Sequence, residues 1–180
     1  ITSLRAPVKE IIDAVHSYGG IILHDVIHLR HAEKALEAGV DGLILVAAGA
    51  GGHAGTLSPM ALVGEVRARY QGPIILSGAI STGDAVLATQ AMGADFAYMG
   101  TRFIASIEAH ASEQYKEAIV AAQAQDIIYT DHFTGIHGNY IKQSILNAGL
   151  DPDHLPQGDS QAFAKLSQAG KEGSNAKDNR

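Results

Sequence analysis

"PIILSGAISTGDAVLATQAMGADFAYMG", Pro73 to Gly100, decides the fold. It begins with a strand-length apolar run, turns a glycine corner, passes through a helix-length segment that closes on Gly93, and returns to a second apolar run. Both runs are apolar at nearly every position rather than alternating. That suits strands covered on both faces of a parallel sheet. Strand, helix and strand in this order make a right-handed β-α-β crossover.

Working outward, the same unit recurs. "GIILHDV" (Gly20–Val26) and "DGLILVA" (Asp41–Ala47) read as further strands, and the opening "ITSL" reads as the end of another. Helical patterns separate them: "PVKEIIDAVHSYGG", with Pro7 expected in its first turn, then "HLRHAEKALEAG", "SPMALVGEVRARYQG" and "STGDAVLATQAMG". Ser58–Pro59 and Ser81 to Asp84 supply candidate caps. A longer helix is expected through "SEQYKEAIVAAQ". "EAGVDG" (Glu37–Gly42) and "AMGADF" (Ala91–Phe96) form a weak internal repeat. It is best read as a shared way of joining helix to strand, with Gly39 and Gly93 in the left-handed position. Residues 1–150 are thus expected to form one β/α domain, and the polar stretch 151–180 a loosely held tail.

Composition sets outer bounds. The chain has 180 residues, enough for one domain with a sizeable core, and is 46% hydrophobic and 18% charged. A net charge of −6 without a Lys/Arg block argues against a nucleic-acid surface. No apolar run approaches the length that spans a bilayer and no signal peptide is read, so a soluble cytoplasmic domain is the expectation. With no cysteine, disulfides, thiolate catalysis and Cys-ligated zinc are excluded.

In a parallel β/α protein the loops after the strand C-termini gather on one face, where ligands bind. Three such loops are rich in small residues: "AAGAGGHAG", "SGAIS" and "MGTRF". The last two place Gly78, Ala79, Gly100 and Thr101 at strand ends just before helices, where backbone N–H groups can approach an anion. Two such corners on successive final strands are the phosphate site of a (β/α)8 barrel. Arg102 could add charge there or point outward. His53 stands alone among glycines and alanines, in a loop whose backbone could lie close to a flat ring system. Its imidazole is suited to moving a substrate proton. Among the other histidines, His24, beside Asp25, ends a strand on the same face and is a candidate for a supporting role. His28 and His31 lack the further ligands of a metal site, and no metal is expected. His16, His110 and His132 read as surface residues, and His137 as a weak site candidate in a glycine-containing loop.

The run "VDGLILVAAGAGGHAG…PIILSGAIST…AMGADFAYMGTRFIAS" resembles the nitronate monooxygenase family, once called 2-nitropropane dioxygenases. The resemblance implies an FMN enzyme on a (β/α)8 TIM barrel, with this chain covering approximately strands four to eight. It implies His53 as catalytic base and Gly51 and Gly52 close to the flavin. Gly78, Ala79, Tyr98, Met99, Gly100 and Thr101 would hold the phosphate, and Val46 would stand at the cofactor where the family often has Gln. Gly49 replaces a frequent Glu, Ala79 a frequent Gly, and "FTGIHGNY" (Phe133–Tyr140) matches the family's T-G turn in part. Three earlier strands are missing, so two open sheet edges are expected, completed by further barrel strands or by a partner chain. The implied reaction is oxidation of a small nitronate or nitroalkane by oxygen. FMN-dependent enoyl-acyl-carrier-protein reductases share the motifs, so an enoyl-thioester reductase is the alternative. A flavin-free barrel binding a phosphate ligand and an inactive fragment stay open beside it.

Overall fold

The computed structural model describes residues 6–155. The "ITSL" strand expected at the start and most of the expected tail therefore lie outside the described residues.

Four strands, β1 (Leu23–Val26), β2 (Gly42–Val46), β4 (Ile74–Ser77) and β5 (Phe96–Ala97), form one sheet in the order β1-β2-β4-β5. Every pairing is parallel. Between them run α2 (Leu29–Ala38), α3 (Pro59–Arg67) and α4 (Gly83–Ala91), with α1 (Lys9–His16) before β1. Neighbouring strands in chain order are neighbours in space, the arrangement of a barrel wall. Among the described residues β1 and β5 are its open edges.

The register explains the continuous apolar runs. Residues paired across a parallel ladder share a face. Val26, Leu45, Leu76 and Ala97 make one row; Asp25, Ile44, Ile75 and Phe96 make the next, on the opposite face. The first face packs under the helices, where Val26, Leu43, Leu45, Ile74 and Leu76 meet Ala32, Ala35, Leu62, Val63 and Val66 in one buried core. The second is the barrel's inner face. It is closed at Ile44, 2% exposed, and open at Phe96, 59% exposed.

The internal repeat has a structural purpose. Asp41 N–H donates to Ile22 O at 2.9 Å, while its carboxylate accepts from Ile22 N–H at 2.7 Å. Asp95 treats Ile74 identically, at 2.8 Å for both bonds. Each aspartate thus pins the start of the preceding strand at the foot of the sheet, Ile22 just before β1 and Ile74 at the head of β4. Gly39 (φ 95°) and Gly93 (φ 101°) turn the chain into position, in the expected left-handed conformation. Arg67 ties the second copy down, donating to Gly93 O at 2.9 Å, Gly72 O at 2.9 Å and the Asp95 carboxylate at 2.6 Å. Hydrogen bonds to the ionised form, first from Ile74 N–H and then from Arg67, hold the Asp95 carboxyl below the usual carboxylate range.

Four features differ from the sequence reading. Helix α1 begins at Lys9 behind Val8, so Pro7 stands before the helix rather than in its first turn. Helix α2 is capped by His28, whose Nδ1 accepts from His31 N–H at 3.2 Å. The helix expected through residue 123 is α6 (Glu113–Ala121), after the short α5 (Thr101–Ile104). Most consequential is a second sheet that sequence reading missed. β3 (Gly52–His53), β7 (Gly138–Ile141) and β6 (Ile127–Thr130) pair antiparallel in the order β3-β7-β6, followed by α7 (Lys142–Asn147).

Candidate active site

The glycine loop leaves β2 and is tied at its base: Ala47 N–H donates to Ser77 O at 2.9 Å, Ala48 N–H to Leu57 O at 2.9 Å and Gly55 N–H to Val46 O at 3.1 Å. Its crown then touches both strand-end corners. A Cβ on Gly49 would lie 3.0 Å from Ala79 Cβ, and one on Gly51 would lie 2.5 Å from Thr101 Oγ1. At Gly49 the φ of 85° also disfavours a side chain, and at Gly51 the Thr101 hydroxyl would have to turn away to admit one. Residues 49 and 51 therefore bring the corner after β4 and the corner after β5 against one short stretch of backbone.

Gly78 has φ 154° and a Cβ there would meet Ala48 O at 2.9 Å, so glycine is required on both counts. Ala79 follows in the left-handed region at φ 52°, the position where the family resemblance noted a frequent Gly. Of the four expected anion donors, the Ala79 N–H is already bonded to Gly49 O at 3.0 Å. The N–H groups of Gly78, Gly100 and Thr101 have no acceptor among the described residues. Val46 pairs with Ser77 at the upper rim of the inner face, and Tyr98, one residue past Ala97, returns to that face. Met99 lies between Tyr98 and Gly100 on the way into α5.

His53 is not in a free loop. It sits on β3, paired with Gly138 of β7, and its Nε2 is 2.8 Å from Thr134 Oγ1. Three side chains from the late segment fasten the crown: Thr134 at His53, Asn139 Nδ2 donating to Ala50 O at 2.8 Å, and Tyr129 OH donating to Ala54 O at 2.8 Å. Ala54 N–H also donates to His137 O at 3.3 Å. Thus His137 contributes backbone to this clamp, while its ring stacks near Tyr129 at 5.0 Å. Thr134, Asn139 and Tyr129 were not singled out in the sequence; the partial T-G match at Thr134–Gly135 was the one available signal.

His24 and Asp25 leave β1 on opposite faces. His24 is 4% exposed on the helix side, and burial lowers its pKa. Asp25 is in the inner-face row, where burial raises its carboxyl. His31 is lowered by burial and by the neighbouring His28. Among the described residues no group of three His, Asp or Glu is placed to hold a metal, and no helix is long and apolar enough to cross a membrane. Two concavities of about 410 and 440 Å³ lie elsewhere, one between α5 and α6 near Ile107 and Val120, the other beneath α7 near Leu146. The inner face beside His53 is bounded by only four described strands, which cannot enclose a cavity.

A parallel wall of consecutive strands, with small-residue corners after its last two strands, defines a partial (β/α)8 barrel. The family model for nitronate monooxygenase matches residues 1–161, and the chain belongs to that family. It is 28% identical to the nitronate monooxygenase of Paraburkholderia phytofirmans over 155 residues, covering 81% of this chain and 42% of that protein. A probable nitronate monooxygenase of Staphylococcus aureus is also 28% identical, over 82% of this chain and 46% of its own length. The chain therefore spans less than half the length of these curated relatives. Among solved structures, nitroalkane oxidase from Streptomyces ansochromogenes superposes with a TM-score of 0.73 at 25% identity, over 87% of this chain and 48% of that one. FabK from Thermotoga maritima gives 0.71 at 26% identity, over 88% and 58%.

Proposed function

We propose that the whole protein is an FMN-dependent oxidoreductase that oxidises small alkyl nitronates or nitroalkanes, with oxygen as the final acceptor. The observation that carries this reading is the convergence of three loops. The backbone that leads to His53 packs against the corner after β4 at Gly49–Ala79 and against the corner after β5 at Gly51–Thr101. One imidazole and two small-residue strand ends are thereby gathered at one end of the parallel sheet.

The residues fit the flavin mononucleotide at its phosphate end. The unused N–H groups of Gly78, Gly100 and Thr101 are of the kind that hold an anion at strand ends. Ala79, Tyr98 and Met99 would shape the same cradle, with Val46 on the inner rim below it. Gly51 and Gly52 would let backbone approach the ring. When bound, FMN supplies the redox chemistry: it accepts electrons from the substrate and passes them to oxygen.

His53 supplies the protein's own chemical step. With a neutral nitroalkane, the imidazole takes the proton alpha to the nitro group; the C–H electron pair forms the C=N bond of the nitronate, and the proton stays on the ring. A positioned base contributes on the order of 10²–10⁴-fold. An anionic nitronate has no such proton to lose, so it needs no base. His53→Asn is therefore expected to abolish most turnover of nitroethane while sparing ethylnitronate. Equal losses on both would refute the assignment. The visible spectrum of the purified whole protein tests the cofactor: a flavin spectrum that bleaches with ethylnitronate under anaerobic conditions is the expected result. Rapid bleaching by a pyridine nucleotide, with none by the nitronate, would favour an enoyl-thioester reductase.

A further inference from the structure

The hydroxyl of Thr134 sits at the centre of three short polar contacts: His53 Nε2 at 2.8 Å, Ile136 O at 2.9 Å and Ile136 N at 3.3 Å. A hydroxyl has one proton and two lone pairs. Ile136 O, a carbonyl, can only accept, so the single Thr134 proton goes to it. Ile136 N–H, a donor, takes one lone pair. The lone pair that remains can meet His53 only as an acceptor, so His53 Nε2 must carry hydrogen. We propose that Thr134 is a positioning residue that fixes His53 as its Nε2–H tautomer, leaving Nδ1 as the nitrogen that receives the substrate proton. This rests on the proposed role of His53 as base and adds which of its atoms does the work.

The surrounding backbone holds Thr134 in place for this. Gly135 N–H donates to Asp131 O at 2.7 Å and Thr134 N–H to the same oxygen at 3.3 Å, closing a tight turn with Gly135 at φ 71°. The turn joins β6 to β7, and β7 carries Gly138 opposite His53. The strand that pairs with the histidine's backbone and the acceptor for its ring thus belong to one hairpin. When the ring takes a second proton, the Nε2–H bond to Thr134 persists, so no rearrangement accompanies the transfer. Neutral imidazole without this partner can exchange between two tautomers, only one of which presents a bare nitrogen to the substrate.

The test has two arms. In the first, the whole protein is labelled with ¹⁵N-histidine and the His53 ring nitrogens are read by NMR. The expected result is hydrogen on Nε2 and a bare Nδ1, with the Nε2–H protected from exchange in the native protein and in Thr134→Ser but not in Thr134→Val. A bare Nε2 in the native protein would overturn the proposal without any variant being made. In the second arm, Thr134→Val is expected to lower nitroethane turnover by about tenfold, the worth of one ordinary hydrogen bond. Ethylnitronate turnover should not change, and Thr134→Ser should restore the loss. Equal losses on both substrates, or no rescue by serine, would count against a positioning role. If His53→Asn remains active on nitroethane while the native ring shows Nε2–H, the tautomer assignment stands and the base reading fails.

Discussion

Gly138→Ala tests whether the clamp on His53 rests on backbone contact. A Cβ at Gly138 would lie 2.9 Å from Gly52 O, 3.0 Å from Gly52 C and 3.1 Å from His53 N. All three are main-chain atoms, so no side-chain rotation relieves the contact. Ordinary contact begins near 3.4 Å, so β3 must retreat from β7 by about half an ångström. The bond from Ala54 N–H to His137 O is already 3.3 Å long and would not survive that shift. The 2.8 Å contact of His53 with Thr134 would lengthen to about 3.3 Å and weaken. Losing the first bond and weakening the second costs about 1–2 kcal/mol, confined to the crown because the main core lies under the other sheet. Hydrogen exchange is the direct assay. The Ala54 amide should exchange markedly faster in Gly138→Ala, amides of β2 and β4 should keep their protection, and nitroethane turnover should fall with the first change. Native protection at Ala54 together with native turnover would refute the reasoning.

Other outcomes follow from neighbouring contacts. Gly78→Ala combines a positive φ of 154° with a Cβ 2.9 Å from Ala48 O, and should destabilise by at least about 2 kcal/mol in denaturant unfolding. Ala79→Gly removes a left-handed alanine, a gain of about 1–2 kcal/mol largely offset by glycine's entropy, so its denaturation midpoint should move little. Asp95 has its carboxyl depressed by Ile74 N–H and by Arg67, so its stabilisation is complete above the unfolded carboxylate range and is lost as pH falls through the folded value. Asp95→Asn should therefore flatten the acid limb of the Tm-against-pH curve below about pH 4; an unchanged acid limb would contradict the clamp.

What could be read from the sequence and what could not divide along physical lines. Of the four parallel strands, β2 and β4 were the most legible because they are buried on nearly every position and so are apolar throughout, as in "GLILV" and "IILS". Gly39 and Gly93 were legible because a left-handed helix end asks for one residue type. The three glycine loops were found, and the structure brings Gly49 to Ala79 and Gly51 to Thr101. The second sheet was not legible. β3 is two residues long and carries no periodicity, and its partner strand begins at Gly138. β6 and β7 mix apolar with polar residues and are only partly buried, so neither shows the signature of a covered strand. His28 was missed as a cap because histidine is not among the residues that usually cap helices.

The bareness of the histidine loop and the burden on the late hairpin have one cause. Gly49 takes a left-handed φ of 85° against Ala79, and a Cβ at Gly51 would displace the Thr101 hydroxyl. A crown stripped of side chains in order to meet two strand ends cannot anchor itself by packing, and glycine makes its ordering unusually costly. The anchors must come from elsewhere in the chain, and they come as side chains reaching toward backbone: Asn139 to Ala50 O and Tyr129 to Ala54 O, with Thr134 at the imidazole between them. Close approach to the corners and dependence on residues 129–139 are therefore inseparable. A stretch with little motif character of its own belongs to the site as fully as the glycine loop it holds.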